Sequence, residues 1–135
     1  MKKTIEELFQ TPYWIIDILP EQVPPDSPGQ FFAVEKFFLK ENQLAEIKRK
    51  HLNVLLKLNC YYDISIDPET ESNPSPERIG EEIRKRHLLV LIDDALILSE
   101  PDDTHMTIFN PDEKLLTLVK TIAAGEGLYV WKPSV

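Results

Sequence analysis

A chain of 135 residues, 42% hydrophobic and 28% charged, fits one globular domain spanning 1–135. A domain of this size buries roughly two-thirds of its unfolded surface and needs neither disulfide nor metal to fold, and the single Cys60 excludes an intrachain disulfide. The net charge of −8 and a pI near 4.9 argue against nucleic acid and anionic membranes, which are bound through Lys and Arg.

Lys2 and Lys3 imitate the start of an export signal, but Glu6 and Glu7 interrupt what should become its apolar core. No apolar run approaches the roughly 18 residues of a membrane span. The expectation is a soluble, cytoplasmic protein. Residues 4–9 read as a short helical lead-in ending before Pro12. The run YWIIDIL (13–19) is aromatic and β-branched and stops at Pro20, which predicts a strand. PEQVPPDSPG is a stiff connection, too short to link domains.

The segment 28–40 pulls both ways. Ser27-Pro28-Gly29-Gln30 has the form of a capping box, whereas Phe31, Phe32, Val34, Phe37 and Phe38 are types that strands prefer. The balance favours a helix with Phe31, Val34 and Phe38 inward. Asn42 then caps a helix whose apolar stripe is Leu44, Ile47, His51, Leu55 and Leu58, with His51 expected as a hydrogen-bonded boundary residue. Cys60 borders a strand-like stretch, so a buried, inert thiol is expected. YYDISI (61–66) reads as a strand, and ETESNPSP (69–76) as a polar, flexible surface loop.

A helix over 77–86 follows, introduced by Pro76. Two apolar runs, 88–92 and 95–99, flank Asp93-Asp94 as a hairpin would. Residues 105–109 make a further strand. Asn110-Pro111-Asp112-Glu113 starts a helix that ends at Gly125, and 128–131 is the last strand. The order predicts an α+β fold, a mixed or mainly antiparallel sheet of about five or six strands with three or four helices on one face. IKRKHLNVLL (47–56) and IRKRHLLVLI (83–92) are similar at an offset of 36. Similar helix ends account for this more simply than a duplicated unit, which would start a strand near Leu52.

Residues 93–113 hold seven acidic residues and no Lys or Arg, and three kinds of chemistry are open to the chain. Asp93, Glu100, Asp103 and His105 could hold a divalent metal, as hard cations need converging carboxylates, and so support hydrolysis. No spacing there carries its own mechanism, and acidic turns account for it more simply. Lys48 and Arg49, with Arg84 and Arg86, could hold an anion if their helix ends meet, although cations favour C-terminal turns anyway. Asp94, Asp102 and Asp103, with Trp131 as an aromatic anchor, could meet a basic protein. Four glycines without a nucleotide-loop spacing exclude the common phosphate cradles.

The stretch TIFNPDEKLLTLVKTIAAGEGLYVWKP resembles the C-terminal part of a group of small bacterial proteins, ending in a helix and an EGL-[FY]-VW strand. The resemblance implies a bacterial origin and carries no site residues. The expected function is that of a non-enzymatic interaction module with an acidic face, inhibitor- or immunity-like, needing no cofactor. A small metal-dependent hydrolase is the alternative. Self-association stays open.

Overall fold

The hairpin expected around Asp93-Asp94 forms, and the sheet grows outward from it. In the computed structural model, which describes residues 3–26, 29–68 and 71–134, Asp93 adopts φ 53°, a left-handed conformation that Asp tolerates. This lets β3 (Leu88–Ile92) fold back directly onto β4 (Ala95–Ser99). The other strands are β1 (Tyr13–Asp17), β2 (Ile64–Asp67), β5 (Met106–Phe109) and β6 (Tyr129–Trp131). They form one sheet in the order β2-β3-β4-β5-β1-β6, with every neighbour antiparallel. The molecule is a single α+β domain.

Register explains the near-continuous apolar runs. Ile66, Val90, Ile97, Ile108 and Trp14 pair in one row across five strands. Val90, Ile97 and Ile108 have no solvent exposure, and each contributes about 2 kcal/mol by burial. Three helices cover this face: α3 (Glu41–Asn59), α4 (Pro76–Lys85) and α5 (Glu113–Gly125). They bring Val54, Leu55, Leu58, Ile79, Ile83 and Val119 into the core. Gly80 lets α4 lie close to α3, since a Cβ there would stand 3.2 Å from Leu52 Cδ2.

The opposite face carries a second row, Asp67, Leu89, Leu98, Thr107, Ile15 and Trp131. It is covered less completely, and by two short helices: α1 (Ile5–Leu8), whose Leu8 packs with Leu96 and Phe109, and α2 (Gln30–Phe38). Helices therefore sit on both faces, not one, and there are five among the described residues where three or four were expected. Both N-terminal segments read as helical, 4–9 and 28–40, form helices and bring the number to five. α1 is held by a reciprocal capping box between Thr4 and Glu7. Residues 28–40 are helical from Gln30, while the expected cap residues Ser27 and Pro28 lie outside the described residues.

Several local expectations are displaced. Lys40, not Asn42, precedes α3, and Asp112, not Asn110, caps α5 by accepting the Leu115 N–H at 2.8 Å. Asn110 instead takes φ 61° and donates its side-chain N–H to Asp94 O at 2.8 Å, linking that helix start to the hairpin turn. Cys60 is exposed, because α3 runs through Asn59 and places it at the helix end rather than in a strand. The two similar decapeptides differ in structure. Residues 47–56 are wholly helical, and 83–92 pass from α4 into β3. Of the loop over 69–76, residues 69 and 70 lie outside the described residues. Beyond them Ser72 bridges to Ser65, and Asn73 accepts the Ile64 N–H at 2.9 Å.

Candidate functional site beneath the aromatic helix

The second sheet face ends in a pocket. Asp17 leaves β1 level with His105, one step beyond the Ile16–Met106 pair. Strand alternation sends Ile15, Asp17, His105 and Trp131 to the same side, away from Ile16 and Met106. Above them lies α2, with Phe31, Glu35 and Phe38 one helical turn apart along its inner side. The proline-rich stretch 20–25 forms the rim through Val23, Pro24 and Pro25. The pocket, partly open to solvent, measures about 400 Å³. Its walls are mostly apolar; among its described lining residues Asp17 and Glu35 are the acidic side chains, with His105 beside Asp17 and no Lys or Arg.

Asp17 is nearly sealed from solvent. Its Oδ1 accepts the Ile18 N–H at 2.8 Å. Burial raises its pKa, and the Ile18 N–H and then His105 oppose that rise. The Trp131 indole N–H lends the carboxylate a smaller pull, yet it is buried without a partner in hydrogen-bond geometry.

Beside the pocket, on the helical side of the sheet, α3 sends Lys48 inward. Its ammonium donates to the Glu100 carbonyl and, at 3.4 Å, to Ser99 Oγ. Burial lowers its pKa to about 8, against the charges of Asp103, Asp102 and Glu100, which hold it up. One turn later His51 is fully buried; among the described residues neither ring nitrogen has a partner in hydrogen-bond geometry, and the Thr104 backbone exerts a smaller upward pull on its pKa than burial or Lys48 exert downward. Burial first and the Lys48 charge second lower its pKa to about 3, so the ring is neutral. His51 is thus a core residue, not the hydrogen-bonded boundary residue its place on the apolar stripe suggested. Glu100 also meets His87, Oε1 to Nδ1 at 2.5 Å.

The acidic run 93–113 is divided by its own strands. Asp93 and Asp94 are exposed at one end of the sheet, near Asn110 and Asp112. Glu100, Asp102, Asp103 and His105 stand at the other, roughly 20 Å away along β4. Asp93 therefore does not join Glu100, Asp103 and His105. Among the described residues no group of three or more His, Cys, Asp or Glu is placed to hold a metal ion. Asp94 is likewise remote from Asp102, Asp103 and Trp131, which do share one end; Trp131 is a pocket wall. In the basic set, Lys48, Arg49 and Arg84 line one shallow groove between α3 and α4. Lys48 is buried there and already engaged, Arg49 pairs with Glu46 at 2.7 Å, and Arg86 with Glu82 at 3.0 Å.

Asp17, Glu35 and the inner Phe residues of α2 were not expected as site residues. A visible signal existed for the first: Asp17 is the lone charge in an otherwise apolar strand run. Among the described residues no helix is long and apolar enough to cross a membrane. Comparison with models of protein families, with curated proteins and with solved structures gives no match for this chain.

Proposed function

We propose that this chain is a non-enzymatic binding module that docks a basic, amphipathic protein segment on the outer side of α2. The observation that carries the reading is that α2 buries none of its nine residues and leaves Phe37, which does not line the cavity beneath it, open to solvent. Phe32 is 69% exposed and Phe37 44%, with Leu39 beside them. Exposed aromatic side chains on a helix mark an interaction surface. The basic character of the partner follows from the overall charge of −8 and from Asp102 and Asp103, which immediately precede the pocket residues Thr104 and His105. Lys36 and Lys40 flank the aromatics, so the attraction comes from the neighbouring turn rather than from the helix.

Metal-dependent hydrolysis is not adopted as a second reading, because Asp93 lies at the far end of the sheet from its supposed co-ligands. The test uses two fluorescent model helices, one of alternating Leu and Lys blocks and one with Glu in place of Lys, followed by anisotropy at low and high salt. The Lys helix should bind, weaken with salt, and be lost in Phe37→Ser/Leu39→Ser. Equal binding of both helices, or binding untouched by that double substitution, would defeat the reading.

A further inference from the structure

We infer that the cavity beneath α2 binds a small organic ammonium ion bearing an aryl or alkyl group, with its charge set against Asp17 and Glu35 and its apolar part against Phe31, Phe38 and Trp131. The cavity of about 400 Å³ lies in the range of small-molecule sites. Its composition selects the sign of the ligand. Two carboxylates and no Lys or Arg line it among the described residues, so an anion would meet the repulsion of both carboxylates with only the neutral donors of Trp131, Gln22 and Thr104 and the His105 ring to oppose it.

A neutral apolar guest would leave Asp17 in a still drier environment. Among the described residues that carboxyl accepts the Ile18 N–H in good geometry, with weaker pulls from the Leu19 N–H and Trp131, and an ionised carboxylate can accept more. Burial already disfavours its charge. An ammonium group brings up to three donors and a full opposing charge to the same spot. The aromatic walls suit the same guest, since ring faces attract a cation and accept its hydrocarbon part. Roofing by α2 adds access, because that helix is anchored in the fold by no buried residue of its own.

Calorimetric titration of the full chain with phenylpropylamine, phenylpropanol and phenylpropanoate at neutral pH separates charge from shape. The amine should bind about tenfold more tightly than the alcohol, with the acid weakest. Asp17→Asn should bring amine and alcohol to near parity while leaving the alcohol's affinity unchanged. If Asp17→Asn does not fold, Glu35→Gln on the exposed helix must by itself reduce the amine's advantage. The inference is overturned if the wild-type protein binds the alcohol as tightly as the amine, or binds none of the three at millimolar concentration. It is equally overturned if a folded Asp17→Asn, or Glu35→Gln where Asp17→Asn does not fold, keeps the full preference. Phe37 does not line the cavity, so Phe37→Ser should leave amine binding intact, which distinguishes this site from the outer face of α2.

Discussion

Replacing Lys48 with methionine should stabilise the protein at neutral pH, and the gain should vanish in alkali. The side chain is 1% exposed, and its pKa falls from 10.5 to about 8 despite three nearby carboxylates. Desolvation of the ammonium therefore outweighs the attraction of Asp103, Asp102 and Glu100. A folded-state pKa below the unfolded value means that the unfolded chain holds more protons between pH 8 and 10.5. The penalty is thus fully present below about pH 8 and is relieved as pH rises toward 10.5. The whole interval corresponds to ~3 kcal/mol, of which ~2 kcal/mol is recovered by about pH 9.5. Losing the bonds to the Glu100 carbonyl and Ser99 costs about 1–2 kcal/mol. Lys48→Met should therefore gain roughly 1–2 kcal/mol at neutral pH, measured by urea unfolding, and lose that advantage by about pH 9.5. Parallel pH profiles for the two proteins would refute the desolvation argument. A variant less stable at neutral pH by more than about 1 kcal/mol would show that the acidic turn dominates after all.

Two further substitutions test the same interior and the hairpin. His51, with a folded pKa of about 3 against 6.5 for the free side chain, should cost stability as pH falls below 6.5. The unfolded chain takes up the proton first, so His51→Leu should flatten the acid loss by ~2–3 kcal/mol at about pH 4.5 in urea titrations. At neutral pH that variant should stay within about 1 kcal/mol of wild type or exceed it, since two unpaired buried nitrogens disappear. Asn110→Ala should cost about 2 kcal/mol, half from the left-handed φ of 61° and half from the bond to Asp94 O, while Asn110→Gly should lose only the second part. Equal thermal midpoints for the Ala and Gly variants would remove the conformational half of that account.

What was legible in the sequence was whatever a local pattern decides. Apolar runs interrupted by Asp93-Asp94 can only turn there, and both flanking strands have the expected bounds. Pro76 opens α4 and α5 ends at Gly125, as those residues announce. What was not legible depended on partners distant along the chain. Lys48 sits in a basic tetrapeptide, Lys48-Arg49-Lys50-His51, yet only its position on α3 relative to β4 makes it a buried donor to residues 51 and 52 positions away. Arg49, one residue on, points outward and is 68% exposed along its side chain. One helical step of 100° separates a solvated cation from a buried one. Asp17 likewise gains its role from α2, which no periodicity along β1 can announce.

The acidic run is likewise divided by the fold. Between 93 and 113 the chain crosses the sheet twice, so a charge cluster that is continuous in sequence is delivered to opposite ends in space. Each part then has a local cause. Asp93 supplies a left-handed turn residue, Asp112 caps α5, and Glu100, Asp102 and Asp103 surround the buried ammonium of Lys48. Asp17 and Glu35 are the carboxylates that line the cavity beneath α2. They come from segments in which acid is scarce: a strand run with one charge, and a helix with one carboxylate among five large apolar residues. A search for recognition chemistry in this fold therefore begins where charge is isolated among apolar groups, because there water screens it least and a ligand of opposite sign gains most.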